Sequence, residues 1–264
     1  MNFTINNLSV FTDGDSKRRS IVFVHGFPYD HFMWDEQVKV FSKDYYCVRF
    51  DIRGLGASPA GDGQFNIEMF VDDLEKIIDE LKLDKPILCA LSMGGYISLR
   101  AVERMGSKFG ALIICDTKSS ADDNEGRLKR AAAIKQINSG KFDEFIESFV
   151  LNCFSDEFVK EKNGEYKKVV ERSKKNDPVG VKGCLLAMAG RTDTTNSLSK
   201  FNLPMLVICG SEDKLSPPEV MKTMADKIPN AKFVLVEDAG HMTPIENSGV
   251  VNKAIKDFLV YNEL

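Results

Sequence analysis

The chain has 264 residues, 43% of them hydrophobic and 28% charged, with a formal net charge of −4. That is ordinary globular composition, long enough for one sizeable α/β core with an insertion. The slight acidity gives no general electrostatic reason to bind nucleic acid, and no apolar run approaches the ~18 residues needed to span a bilayer.

The first residues, FTINNLSVFT, alternate apolar and polar, as an exposed antiparallel edge hairpin does. They lack the basic start and apolar core of a signal peptide, so a cytoplasmic location is expected. Six later runs read as strands: IVFVHG from Ile21, YCVRFD from Tyr46, PILCALS from Pro86, GALIICD from Gly110, PMLVICG from Pro204 and AKFVLVEDAG from Ala231. Most are near-continuously apolar, the pattern of parallel strands covered on both faces. Between them, Phe70, Leu74, Ile77, Ile78 and Leu81 recur at helical spacing behind an Asn66 N-cap with Glu68 in the first turn. Pro217-Pro218 opens another helix through Met221 and Met224, and Asn247 to Leu259 reads as a closing helix. Alternation of this kind predicts an α/β fold with a mostly parallel central sheet flanked by helices.

The rhythm breaks from Thr117 to Leu203, which holds helical patterns and no good strand. Gly140 reads as a helix end, Ser155 as a cap, and Asp177-Pro178 as an N-cap followed by proline at the first helical position. The expected organisation is a core of residues 1–116 and 204–264, with a helical cap of 117–203 inserted in it. The six cysteines include no C-x-x-C pair, and four lie in strand-like runs, so buried free thiols are expected. Three histidines without ligand spacing predict no metal site.

CALSMGGY, residues 89–96, sets a serine between an apolar strand and a helix. A tight strand-to-helix turn exposes such a side chain and demands small neighbours two positions away. Gly94 satisfies this on one side; on the other stands Ala90, one methyl more than the glycine of G-x-S-x-G. Acyl transfer also needs a base and an acid to orient it. His241, in GHMTP, and Asp213, in GSEDKLSP, each follow their own strand, at the sheet end where open α/β sheets place their crevice. Asp116 also ends a strand and is a rival to Asp213; Glu212 is a weaker one. His25 is expected to be structural, and His31 to start the helix holding Trp34 as a rim residue.

With HGFP from His25 and DIRGLGAS from Asp51 added, the sequence resembles the α/β-hydrolase superfamily over nearly its whole length. It looks most like the small esterase, 3-oxoadipate enol-lactonase and perhydrolase branch, with H-G-F-P, D-x-R-G-x-G-x-S, S-M-G-G and G-H. The resemblance implies a Ser92–His241–Asp213 triad acting on carboxylic esters. The backbone N–H groups of Phe27 and Met93 would form the oxyanion hole, with His25 and Asp51–Arg53 holding the loops. It implies no cofactor and a small-molecule ester or lactone as partner, with no nucleic acid or membrane, in a monomer or small homo-oligomer. Trp34, Phe149, Met188 and Met242 are candidate substrate contacts. An enol-lactonase would also need a cation in its pocket, for which Arg191 and Lys118 are candidates. A hydrolase-like receptor with slow turnover is the rival from a different class.

Overall fold

The computed structural model describes residues 1–264. Its frame is an eight-stranded sheet: β1 (Asn2–Ile5), β2 (Leu8–Asp13), β3 (Ser20–Val24), β4 (Tyr46–Phe50), β5 (Ile87–Leu91), β6 (Ala111–Cys115), β7 (Met205–Gly210) and β8 (Ala231–Val236), in the spatial order 1-2-4-3-5-6-7-8. β1 and β2 form the antiparallel edge hairpin, β2 runs antiparallel to β4, and all other neighbours are parallel. Every residue of β3, β5, β6 and β7 is buried, which is why these strands read as unbroken apolar runs. β8 is apolar except for Lys232, yet only Val236 is buried in it, because β8 is the far edge and pairs with β7 alone.

Helices cover both faces: α1 (Asp35–Phe41), α2 (Ile67–Glu80), α3 (Met93–Met105), α9 (Pro218–Ala225), the short α10 (Thr243–Glu246) and α11 (Ser248–Tyr261). α2 starts where its sequence indicates, with the Asn66 side chain accepting from Met69 N at 2.9 Å. It buries Phe70, Val71, Leu74, Ile77 and Ile78, each fully buried apolar side chain being worth about 1.5–3 kcal/mol.

Five helices lie between β6 and β7: α4 (Asn124–Asn138), α5 (Phe142–Leu151), α6 (Asp156–Glu161), α7 (Asn163–Ser173) and α8 (Pro178–Ala189). The start signals act as read. Ser155 accepts from Phe158 N and Asp177 from Val179 N, while Gly140 leaves the end of α4 at φ +82°. Phe145, Ile146, Val150, Phe154, Val181 and Leu185 from this segment join the same continuous core as the sheet. All six cysteines are buried and free. No helix is long and apolar enough to cross a membrane.

The sheet order reverses at β3, whose neighbours β4 and β5 follow it in the chain on opposite sides. A crevice opens outside the carboxyl ends of strands at such a point. The loop at 25–28 leaves β3 there, and Ser92 leaves β5.

Candidate active site

Ser92 occupies a single-residue elbow between β5 and α3, with φ +51° and ψ −113°. A non-glycine residue rarely adopts that conformation, and surrounding structure must hold it there. Ser92 N donates to Cys115 O at 3.1 Å, and Ser92 O accepts from Thr117 Oγ1 at 2.7 Å. A Cβ at Gly94 would lie 2.2 Å from Val24 O, so glycine there is what lets α3 seat against the end of β3. Ala90 is fully buried in β5, between Val24 of β3 and Ile114 of β6, and the turn forms with alanine in place.

Asp213 and His241 come together from separate loops. His241 Nδ1 donates to Asp213 Oδ2 at 2.8 Å. Asp213 Oδ1 accepts from Leu215 N at 2.8 Å and Ser216 N at 2.9 Å. Burial pushes the Asp213 carboxyl upward, but the adjacent His241 charge and these hydrogen bonds outweigh it and hold it below its usual range. No hydrogen bond joins Ser92 to His241; such contacts often tighten only around substrate.

Asp116 is fully buried and sits beside this pair. Its Oδ1 accepts from Gly210 N at 2.9 Å, and its Oδ2 from Thr243 Oγ1 at 2.5 Å. Burial, reinforced by the Asp213 charge, drives its carboxyl well above the usual range. It makes no hydrogen bond to either ring nitrogen of His241; the carboxylate bonded to the imidazole is Asp213.

The backbone N–H groups of Phe27 and Met93 have no acceptor within the protein, although both residues are buried. Met93 opens α3, whose first-turn N–H groups have no intrahelical acceptor, and Phe27 lies in the loop after β3, so both donors are left free. They suit an oxygen that acquires negative charge.

His25 accepts from Ile52 N at its Nε2 (2.8 Å) and bonds Gly26 O through Nδ1 (2.9 Å), and burial lowers its pKa. It is a neutral brace between loops. Arg53 makes a two-pronged ion pair with Asp73. His31 is not at the rim: it is 5% exposed, bonded to Asp51 Oδ1 at 2.7 Å and stacked on Phe11.

The candidate substrate contacts divide. Trp34 and Met242 expose no surface, so the expectation that they line a pocket is corrected. Trp34 packs on Phe23 in the core, and Met242 is enclosed beside α10. Met188 is 3% exposed and belongs to the interior of α8. Phe149 does reach the loop after β3, its ring edge-on to Phe27 at 5.1 Å. Arg191 is committed to Asp122 and stacked over Tyr96. Lys118 makes no ion pair, and burial lowers its pKa.

Two clusters have the composition of metal ligands, Asp30/His31/Asp51 and Asp116/Cys209/Asp213. Every carboxylate oxygen in both already accepts a hydrogen bond from the protein, so neither is an open coordination site.

Sequence reading missed Glu246. Its carboxylate accepts from Gly240 N and Met242 N, on either side of His241, and from Ser155 N between α5 and α6. His241 N itself donates to Cys153 O at 2.8 Å. The histidine loop is thus held partly by the helical segment. The only sequence signal was an acidic residue five positions after the G-H motif.

Eight strands in this order, a strained serine elbow, and a histidine–aspartate pair at the same sheet ends define an α/β-hydrolase architecture. The chain belongs to the alpha/beta hydrolase fold family, whose model matches residues 19–248. A thermophilic esterase from Thermogutta terrifontis, with malate bound, is 28% identical and covers 100% of both chains at a TM-score of 0.94. A 3-oxoadipate enol-lactonase from Acinetobacter baylyi is 26% identical over 90% of this chain and 88% of its own. A non-heme chloroperoxidase from Kitasatospora aureofaciens is 27% identical over 90% of each chain.

Proposed function

We propose that this hydrolase cleaves carboxylic esters through an acyl-enzyme formed on Ser92. His241 takes the Ser92 proton as Oγ attacks the ester carbonyl. The N–H groups of Phe27 and Met93 receive the oxyanion, and His241 returns the proton to the departing alcohol. Water, deprotonated by the same histidine, then releases the acid. Asp213 keeps His241 in the tautomer with Nε2 free to accept and stabilises its protonated form. The helices α4–α8 act as a cap over the crevice.

The observation that carries this reading is the Asp213–His241 hydrogen bond at the same sheet ends as the strained Ser92. The likeness to an esterase supports it. A second reading is hydrolysis of a carboxylate-bearing lactone. It draws on the unpaired Lys118 ammonium and on the enol-lactonase relative.

The test is initial rates on p-nitrophenyl esters of graded acyl length, beside neutral and carboxylated lactones, for wild type and Ser92→Ala. Losing a triad nucleophile typically costs on the order of 10⁶ in turnover. Turnover by Ser92→Ala above a few per cent of wild type removes the serine from the reaction. Preference for a carboxylated lactone over every simple ester selects the second reading.

A further inference from the structure

Asn176 lies between α7 and α8, just before the Asp177-Pro178 helix start, and is 7% exposed. Its side-chain amide is engaged on both ends. Nδ2 donates to Pro28 O at 2.7 Å and to Ser173 O at 3.0 Å, and Oδ1 accepts from Gly56 N at 2.8 Å. An amide has two donor hydrogens, and both are used. The three partners fix its orientation, since a flipped amide would face two carbonyls with its oxygen and an N–H with its nitrogen.

The partners are far apart in sequence. Pro28 directly follows Phe27, and Gly56 belongs to the loop after β4. In that loop Asp51 accepts from Ala57 N and reaches back to His31 N. One side chain from the helical segment therefore ties together two loops of the sheet domain. Arg172, one helical turn earlier, adds a second tie: its Nε donates to Asp30 Oδ2 at 2.5 Å, and its guanidinium covers the Phe32 ring.

From this geometry we infer that Asn176 is a positioning residue for the Phe27 N–H, fixing the oxyanion donor through Pro28 O. The inference rests on the serine-hydrolase reading above. The Phe27 ring packs on Phe145 and Phe149, but the other hydrogen bonds of the loop at 26–29 are local: Tyr29 N and His25 Nδ1 meet Gly26 O, and Gly26 N meets Met33 Sδ at 3.4 Å. The Asn176 amide is the bond that refers this loop to an outside frame on the side next to Phe27. Removing an oxyanion donor outright costs about 10²–10³ in kcat; displacing one costs less. The docking of α7 and α8 thereby enters the chemical step rather than only the fit of the substrate.

The decisive variant is Asn176→Asp, which keeps an acceptor for Gly56 N but turns an oxygen toward Pro28 O and Ser173 O. The substrate is p-nitrophenyl acetate, with active sites counted by the acylation burst and an alkyl boronic acid as tetrahedral probe. The expected result is a kcat lowered about 10–100-fold with KM within about threefold. Boronate affinity falls by a factor similar to the kcat loss, the active-site count is unchanged, and amide exchange quickens in residues 26–33. Arg172→Met, which removes the other tie and leaves Asn176, should lower kcat much less. If Asn176→Asp does not fold, Asn176→Ala takes its place. A rise in KM alone, a kcat loss without loss of boronate affinity, or an equal loss in Arg172→Met overturns the inference. An inactive wild-type protein defeats the serine-hydrolase reading, whereas unaltered exchange at 26–33 in Asn176→Asp defeats the clamp by itself.

Discussion

Replacing Asp213 by asparagine changes one atom, and the surrounding hydrogen bonds determine which way the new amide faces. Oδ1 accepts from two backbone N–H groups, Leu215 and Ser216, at 2.8 and 2.9 Å. Turning an NH2 toward them would replace two good bonds by two donor–donor contacts. The amide oxygen therefore stays there and the NH2 takes the Oδ2 position, 2.8 Å from His241 Nδ1. A donor at that place forces Nδ1 to accept, which puts the ring proton on Nε2 and removes the free lone pair that serine activation requires. Loss of tautomer control with geometry preserved costs about 10⁴ in kcat, or ~5.4 kcal/mol. Asp116→Asn makes the opposite case. An asparagine there accepts from Gly210 N through Oδ1 and donates to Thr243 Oγ1 through Nδ2, matching both existing partners. Its kcat should stay within about tenfold of wild type. The assay is single-turnover acylation by p-nitrophenyl acetate with each variant, its fold checked by circular dichroism. If Asp116→Asn is the more damaging variant, Asp116 is the orienting acid and this assignment of the loops is wrong.

The Asp116 carboxyl, raised by burial and by the Asp213 charge, retains in the folded state a proton that the unfolded chain releases. Stability should therefore fall as pH rises from the ordinary carboxylate pKa toward the raised one, and Asp116→Asn should abolish that part of the decline. Melting curves of both proteins from about pH 4 to 8 check this, and a difference in midpoint that does not change with pH contradicts it. Ala90→Gly should keep full turnover, whereas Ala90→Leu, overpacked between Val24 and Ile114, should lose about 1–3 kcal/mol of stability and most activity. A stable Ala90→Leu protein with normal turnover would show that the elbow does not depend on a small residue there. Phe149→Ala opens space beside Phe27 and should improve long acyl esters relative to acetate. Met188→Ala, buried inside its own helix layer, should shift that ratio less; equal effects on all chain lengths would remove Phe149 from the acyl wall.

The parts legible in the sequence were those that local chemistry determines. Four apolar runs could be satisfied only as covered parallel strands, and Asn66, Ser155 and Asp177 announce their helices by the N–H groups they cap. Ser92, Asp213 and His241 stood out because each follows its own strand. Long-range partners decided what could not be read. Trp34 reads as a substrate contact and His31 as a rim residue, but Phe23 packs against the first in the core, and Asp51 and Phe11 enclose the second. Glu246 and Asn176 carry no motif of their own. Their importance comes from backbone groups that the chain delivers from 91 and 148 residues away, at Ser155 and Pro28.

The helices between β6 and β7 leave the sheet at Cys115 and rejoin it at Met205, whose partner Leu112 lies three residues back along the adjacent strand. The gap to be bridged is roughly 10 Å at 3.3 Å per residue, whatever the length of chain that bridges it. Closure entropy grows only logarithmically, so even a doubling of the segment would add about 0.6 kcal/mol. The sheet is therefore a chassis on which this stretch can be exchanged wholesale, as a unit of variation separate from the catalytic frame. The exception is its few riveted points. A transplanted segment would have to bring its own equivalents of Asn176 at Pro28 and Cys153 at His241, or the loops after β3 and β8 would lose these ties.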